Sequence, residues 1–204
     1  STNMNANEVL ANIALEKAGY KKGEYDKISP NDDLNMAQST NDTYPTSLKL
    51  TMILQNGKVI NELKLLAKSF RTLGNTYLEI VKMGRTELQD AVPMTVGQEF
   101  HSYASMLEWN ISNIETANEA LKTLNMGGTA IGTGLNARKG YDIAVIKHLN
   151  KITGITFVNA DDMLAATSSL HSFVVYSSAM KTLATTLSKI SNDLILLSSG
   201  PRNG

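Results

Sequence analysis

The sequence predicts an all-α protein, a bundle of long helices, and three runs of apolar residues carry that prediction. From Phe173, the residues Phe173, Tyr176, Met180, Leu183, Leu187, Ile190, Leu194 and Leu197 fall alternately three and four apart. That is the spacing of a helix-packing seam, sustained for more than three heptads. A second run sets Phe100, Tyr103, Leu107, Ile111, Ile114 and Leu121 on one side and leaves Glu108, Glu115 and Glu119 largely off it, predicting a helix over residues 96–124. The third follows Pro45 through Leu48, Met52, Ile60, Leu63, Leu66 and Phe70, with Gly57 a weak point and Gly74 the expected stop. Each helix would run roughly 25 to 30 residues, about 40 Å, well above the globular mean. Helices of that length with heptad spacing pack as bundles. Between them the sequence predicts a shorter helix over residues 7–18, a polar loop over 19–33 and a glycine-rich stretch over 127–136. No βαβ alternation and no internal repeat is visible.

Composition narrows the function classes. The 204 residues, 42% hydrophobic, suffice for the core of one or two domains. Nineteen basic residues balance nineteen acidic ones without a basic cluster, which argues against a nucleic-acid partner. With no cysteine there is no disulfide framework, thiolate metal site or cysteine nucleophile. No stretch approaches the roughly 20 apolar residues that span a bilayer, and "STNMNANEVL" has neither a basic start nor an apolar signal core. The expectation is a soluble, cytoplasmic protein with no membrane partner. A chain that begins without Met and stops at "SSGPRNG" is also expected to be part of a longer one.

The chemistry-bearing candidates lie at helix mouths. In "QSTNDTYPT", residues Ser39, Thr40, Asn41, Asp42 and Thr43 fall at or just before the start of the third helix, and Pro45 suits its first turn. Unpaired N–H groups and the positive end of the helix dipole point to the same place, which favours an anion such as a carboxylate. The same side chains would also serve simply as helix caps. In "KMGRTELQDAVPMTVGQEF", Thr86 follows Gly84 and Arg85 in a turn, Pro93 interrupts the pattern and a new helix opens near Thr95. Thr86, Glu87, Gln89 and Asp90 could bind a substrate or satisfy a turn. The glycine-rich stretch lacks the Gly-Lys-Ser/Thr ending of a phosphate loop, and its glycines are expected to allow tight backbone approach between helices. His101, His148 and His171 form no H-x-x-x-H or H-E-x-x-H pair, so no metal is expected, and no cofactor either.

Five stretches, "STNMNANEV", "QSTNDTYPT", "GRTELQDAVPMTVGQEF", "NMGGTAIGTGLN" and "SNDLILLSSGP", occur in the order found in the aspartase/fumarase superfamily, and their wording is closest to its aspartase branch. The resemblance covers nearly all of residues 1–204. It implies a central helical domain with part of an active site, in a homotetramer whose long helices form a shared core. It also implies an ammonia-lyase that reversibly eliminates ammonia from L-aspartate to give fumarate. Proton loss beside the β-carboxylate puts a second negative charge on it, so hydrogen-bond donors aimed at that charge would be the main catalytic device. By resemblance, Ser39 and Thr40 bind the β-carboxylate, Asn41 holds the amino group and Thr86 binds the other carboxylate. Ser1 and Asn3 lie at the edge of the first stretch, and each site draws on three subunits.

Two departures qualify what the resemblance implies. Glu87 stands where fumarases and some aspartases have His and other aspartases Gln; it weakens the fumarase reading and marks Glu87 as a contact for the amine. A carboxylate there would pair with an ammonium and repel the substrate carboxylates. The family's mobile Gly-Ser-Ser loop, which carries the catalytic base, follows the "SSGP" stretch and lies beyond this sequence, as does a Gly-Thr pair upstream. The expectation is a segment with substrate-binding residues, no catalytic residue of its own and no turnover by itself. The alternatives are a fumarase-type hydro-lyase and a noncatalytic helical assembly module.

Overall fold

The computed structural model describes residues 2–201, and among these the chain forms six α-helices, two short β-pairs and one π-helical turn. The chain divides into two compact units, Ser1–Met52 with Leu121–His171 and Ile53–Ala120 with Ser172–Gly204. The all-α expectation holds, with strands confined to a hairpin and a two-residue pair. No helix among the described residues is long and apolar enough to cross a membrane.

In the first unit, α1 (Thr2–Lys17) opens earlier than expected, because no glycine or proline interrupts its polar start. It buries Asn7, Ala11 and Leu15 at four-residue spacing. Asn7, a weak helix former, is held by a hydrogen bond that its Nδ2 donates to Asn35 Oδ1 at 2.9 Å. The polar loop is also not wholly irregular. Residues Pro30–Leu34 form a π-helical turn, capped by Ser29 Oγ, which accepts from the N–H groups of Asn31 and Asp32.

Helix α2 (Thr40–Thr76) spans 37 residues, about 55 Å at the ordinary rise, and corrects two expectations. Pro45 is its sixth residue, not part of its first turn, and Gly74 lies inside the helix instead of ending it. A Cβ on Gly74 would sit 2.8 Å from the His101 ring, so the glycine makes room for that side chain.

The largest miss is the hairpin of β1 (Val81–Thr86) and β2 (Gln89–Thr95), which sequence reading reduced to a turn. Its period-2 pattern is broken by Pro93 and by a register shift between Met83 and Arg85, and its two-residue turn, Glu87-Leu88, lacks the Asn-Gly signature. A new helix does open after Thr95. Thr95 and Gln98 exchange side-chain bonds with each other's backbone N–H at 3.0 Å, a reciprocal cap on α3 (Val96–Ala120). Helix α3 stops four residues before its expected end, because Thr123–Leu124 leave it to form β3, parallel to β4 (Val158–Asn159). The buried Lys49 donates from Nζ to the Thr123 carbonyl at 2.7 Å, and burial lowers its pKa.

The first unit is completed by α4 (Tyr141–Thr153) and α5 (Met163–Ser168). Tight approach is seen at Gly132, whose φ is +100° and whose Cβ would fall 2.5 Å from the Met163 carbonyl oxygen, but it brings a loop against the start of α5 instead of joining two helices as expected.

In the second unit, residues 53–76 of α2 pack with α3 and with α6 (His171–Leu197). Tyr176 donates to Asn56 Oδ1 at 3.0 Å, Asn110 to Thr186 Oγ1 at 3.0 Å, and Arg71 grips Glu108 through Nε and Nη2 at 3.2 and 2.6 Å. Phe70, Tyr77, Phe100 and Tyr103 form an aromatic cluster with ring centroids 5.6 to 6.2 Å apart. Along the predicted seam of α6, Tyr176, Leu183 and Ile190 are buried and the other members half-buried. The heptad reading therefore picked out the face that packs.

Candidate functional site

The mouth of α2 is built on a reciprocal cap. Ser39 Oγ accepts from the N–H of Asn41 at 3.2 Å, while the Ser39 N–H donates to Asp42 Oδ1 at 2.9 Å. Among the described residues Ser39 Oγ acts only as an acceptor, which leaves its proton to donate. The other oxygen of Asp42 accepts the N–H groups of Gly127 at 3.2 Å and Thr129 at 3.0 Å, from the glycine-rich stretch. Asp42 is fully buried; burial pushes its pKa up, and the backbone N–H groups of Ser39, Thr129, Gly127 and Thr43 pull against that. One carboxylate thus joins the helix mouth to a loop more than eighty residues away.

Pro45 adds a second joint. Lacking an N–H, it leaves the carbonyl of Asn41, four residues back, without its helical donor. The buried Asn125 fills that role, donating from Nδ2 to Asn41 O at 3.0 Å and to Thr167 Oγ1 at 3.0 Å.

The predicted site residues have distinct surroundings. Thr40 donates its hydroxyl to Asn3 Oδ1 at 2.6 Å, whereas Ser1 lies outside the described residues. Asn41 is exposed and donates from Nδ2 to Ala130 O at 2.7 Å, which leaves its Oδ1 as an acceptor. Ser39, Thr40 and Asn41 are thus grouped in the first unit. Thr86 and Glu87 belong to the second, exposed at the tip of the hairpin, where Thr86 pairs with Gln89. Glu87 and Leu88 hold φ of +53° and +64°, a left-handed pair that costs non-glycine residues energy.

A cavity of about 390 Å³ opens beside Ser39, with Ala37, Gln38, Thr129, Thr133 and Asn136 among its lining residues and no charged side chain. Such a lining offers hydroxyl and amide donors, suited to an anion bound by hydrogen bonds. Burial, with the Asp42 charge beside it, raises the pKa of the Tyr141 hydroxyl. Sequence reading noted Asp42 only as one member of a polar cluster and missed Asn125. The proline within the helix was the local sign that Asn41 needs an outside donor; nothing local points to which residue supplies it.

Comparison with known proteins is consistent across the chain. Residues 1–204 match the family model described as "Lyase". An aspartate ammonia-lyase of Pseudomonas canavaninivorans is 51% identical over 205 residues, and that of Escherichia coli is 48% identical over 204. Each alignment covers all of this chain and 43% of the relative, so the chain spans less than half the length of these curated relatives. Among solved structures, a fumarate lyase:delta crystallin from Brucella melitensis superposes with a TM-score of 0.97 at 45% identity, covering 100% of this chain and 44% of that one. A class II fumarase from Schistosoma mansoni does so at 0.92 and 35%, covering 100% of this chain and 46% of that one.

Proposed function

The chain belongs to the lyase family, and from that membership we propose that it supplies substrate-binding walls to an aspartate ammonia-lyase, a carbon–nitrogen lyase that interconverts L-aspartate with fumarate and ammonia. The observation that carries this reading is the mouth of α2. Ser39, whose hydroxyl proton is available to donate, is fixed there through Asp42 beside a cavity without charged side chains. The 51% identity to an aspartate ammonia-lyase supports the same substrate.

In the proposed reaction, a base takes the proton from the carbon next to the β-carboxylate. The electron pair first collects as extra charge on that carboxylate; the carbon–nitrogen bond then breaks, ammonia leaves and the double bond of fumarate forms. Hydroxyl donors from Ser39 and Thr40 gain strength as the carboxylate charge grows, which lowers the barrier selectively. For Thr40 this requires its hydroxyl to exchange Asn3 Oδ1 for the substrate. Asn41 Oδ1, freed by the bond from Nδ2 to Ala130, accepts from the substrate ammonium. Thr86 binds the second carboxylate and Glu87 faces the ammonium, both delivered by the hairpin tip of another subunit. The group that takes the proton is not among these residues.

We further propose that the protein works as a cytoplasmic homotetramer in which residues 1–204 form the central helical part. Large apolar side chains left exposed on the long helices, such as Leu65, Trp109, Val174 and Ile195, support an oligomer. The 35% identity to a class II fumarase supplies a second reading, a hydro-lyase acting on L-malate. The deciding experiment offers L-aspartate and L-malate separately to the complete protein and follows fumarate by its ultraviolet absorbance. Turnover of L-aspartate alone is expected; turnover of L-malate alone would establish the second reading, and activity on neither would favour an assembly module.

A further inference from the structure

We propose that Thr129 is a further substrate contact whose hydroxyl binds the same carboxylate as Ser39, an inference that rests on the ammonia-lyase reading above. Thr129 is 6% exposed, and its Oγ1 has no hydrogen-bond partner among the described residues. A buried hydroxyl without a partner is costly, and such groups gather where a ligand supplies the missing bond. The residue lines the cavity of about 390 Å³ that Ser39 also lines.

Its position is imposed by the backbone. Its φ of +57° is unfavourable for a β-branched residue, yet its N–H is tied to Asp42 Oδ2 at 3.0 Å. Asp42 Oδ1 meanwhile takes the Ser39 N–H at 2.9 Å. The two residues are therefore separated by no more than two hydrogen bonds and one carboxylate. Ala37 and Asn136, with φ of +60° and +68°, line the same cavity, so three of the five left-handed non-glycine residues among those described lie around it. The held carboxylate of Asp42 fixes the backbone of two hydroxyl-bearing residues that line one pocket, and a substrate carboxylate is the ligand that would supply the bond the buried Thr129 hydroxyl lacks.

The experiment compares T129V, T129S and S39A in the complete protein. T129V keeps the β-branched shape and removes the hydroxyl; T129S keeps the hydroxyl. Loss of a hydrogen bond to a charged group corresponds to about a 10- to 100-fold effect. For T129V, kcat/KM on L-aspartate is expected to fall by that factor and inhibition by fumarate to weaken, with the melting temperature unchanged. T129S should stay within about threefold of the parent. If T129V behaves as the parent while S39A is impaired, this inference fails and the proposed function stands. If neither variant alters the kinetics, the carboxylate site itself is misplaced and both fall. Failure of T129V to fold would also overturn the inference, since a hydroxyl without a protein partner has no structural bond to lose.

Discussion

At the scale of single residues, the helix mouth shows how a cap becomes a joint. Asp42 would complete an ordinary cap with one oxygen; the second oxygen, turned inward, gathers the N–H groups of Gly127 and Thr129. Asp42→Asn retains one acceptor oxygen and cannot serve both sides, so a loss of about 1–3 kcal/mol in urea unfolding is expected. Asn125 and Pro45 should be coupled for a different reason. Asn125→Ala leaves the Asn41 carbonyl unpaired, but Pro45→Ala returns a backbone N–H to that carbonyl. The cost of Asn125→Ala should therefore shrink by about 1 kcal/mol in the Pro45→Ala background, as a double-mutant cycle would measure. Equal costs in the two backgrounds would show that the bond to Thr167, and not the carbonyl left open by the proline, accounts for the cost at Asn125. Glu87→Gln is expected to leave measurable lyase activity in the complete protein; complete loss would show that its charge is essential.

At the scale of elements, the three long helices of the second unit combine a periodic apolar face with a few polar ties. Leu183 is 6% exposed in the α6 seam, and Leu183→Ala should cost about 2–5 kcal/mol in chemical unfolding. The Arg71–Glu108 pair between α2 and α3 lies on the surface, with side chains 38% and 49% exposed, so Glu108→Gln should cost less than about 1 kcal/mol. The Arg71 guanidinium holds the Glu108 carboxyl below its usual pKa. A carboxyl depressed on folding contributes stability above its unfolded pKa and loses it as pH falls through the folded value. Parent and Glu108→Gln should therefore differ in urea midpoint at neutral pH and converge in acid. The hairpin was illegible for a complementary reason: its strands include Pro93 and a bulge, and its turn uses Glu87 and Leu88, which carry no turn signature.

At the scale of the whole molecule, the proposed chemistry calls for residues from both units, Ser39 to Asn41 in one and Thr86 with Glu87 in the other. An assembly that shares its sites between subunits would use the exposed hairpin tip without requiring the two clusters to meet within one chain. Light scattering of the purified protein should then report an oligomer, expected to be a tetramer. A monodisperse monomer that still turned over L-aspartate would overturn the shared-site model.

The order of apolar and polar residues by itself determined the three long helices, the polar helix mouth at Ser39 to Asn41 and the close-packed glycine-rich loop, because each is encoded over a short stretch of backbone. Tertiary structure alone decided that residues 81–95 pair as a hairpin, that α3 yields to β3 before its apolar pattern ends, and that Asn125 and Thr129 are tied to the mouth of α2 at Asn41 and Asp42. The hairpin closes locally, but Pro93 and the bulge break its period; the other outcomes depend on hydrogen bonds closed across long loops, where the deciding partner is distant in sequence and the local period carries no trace of it.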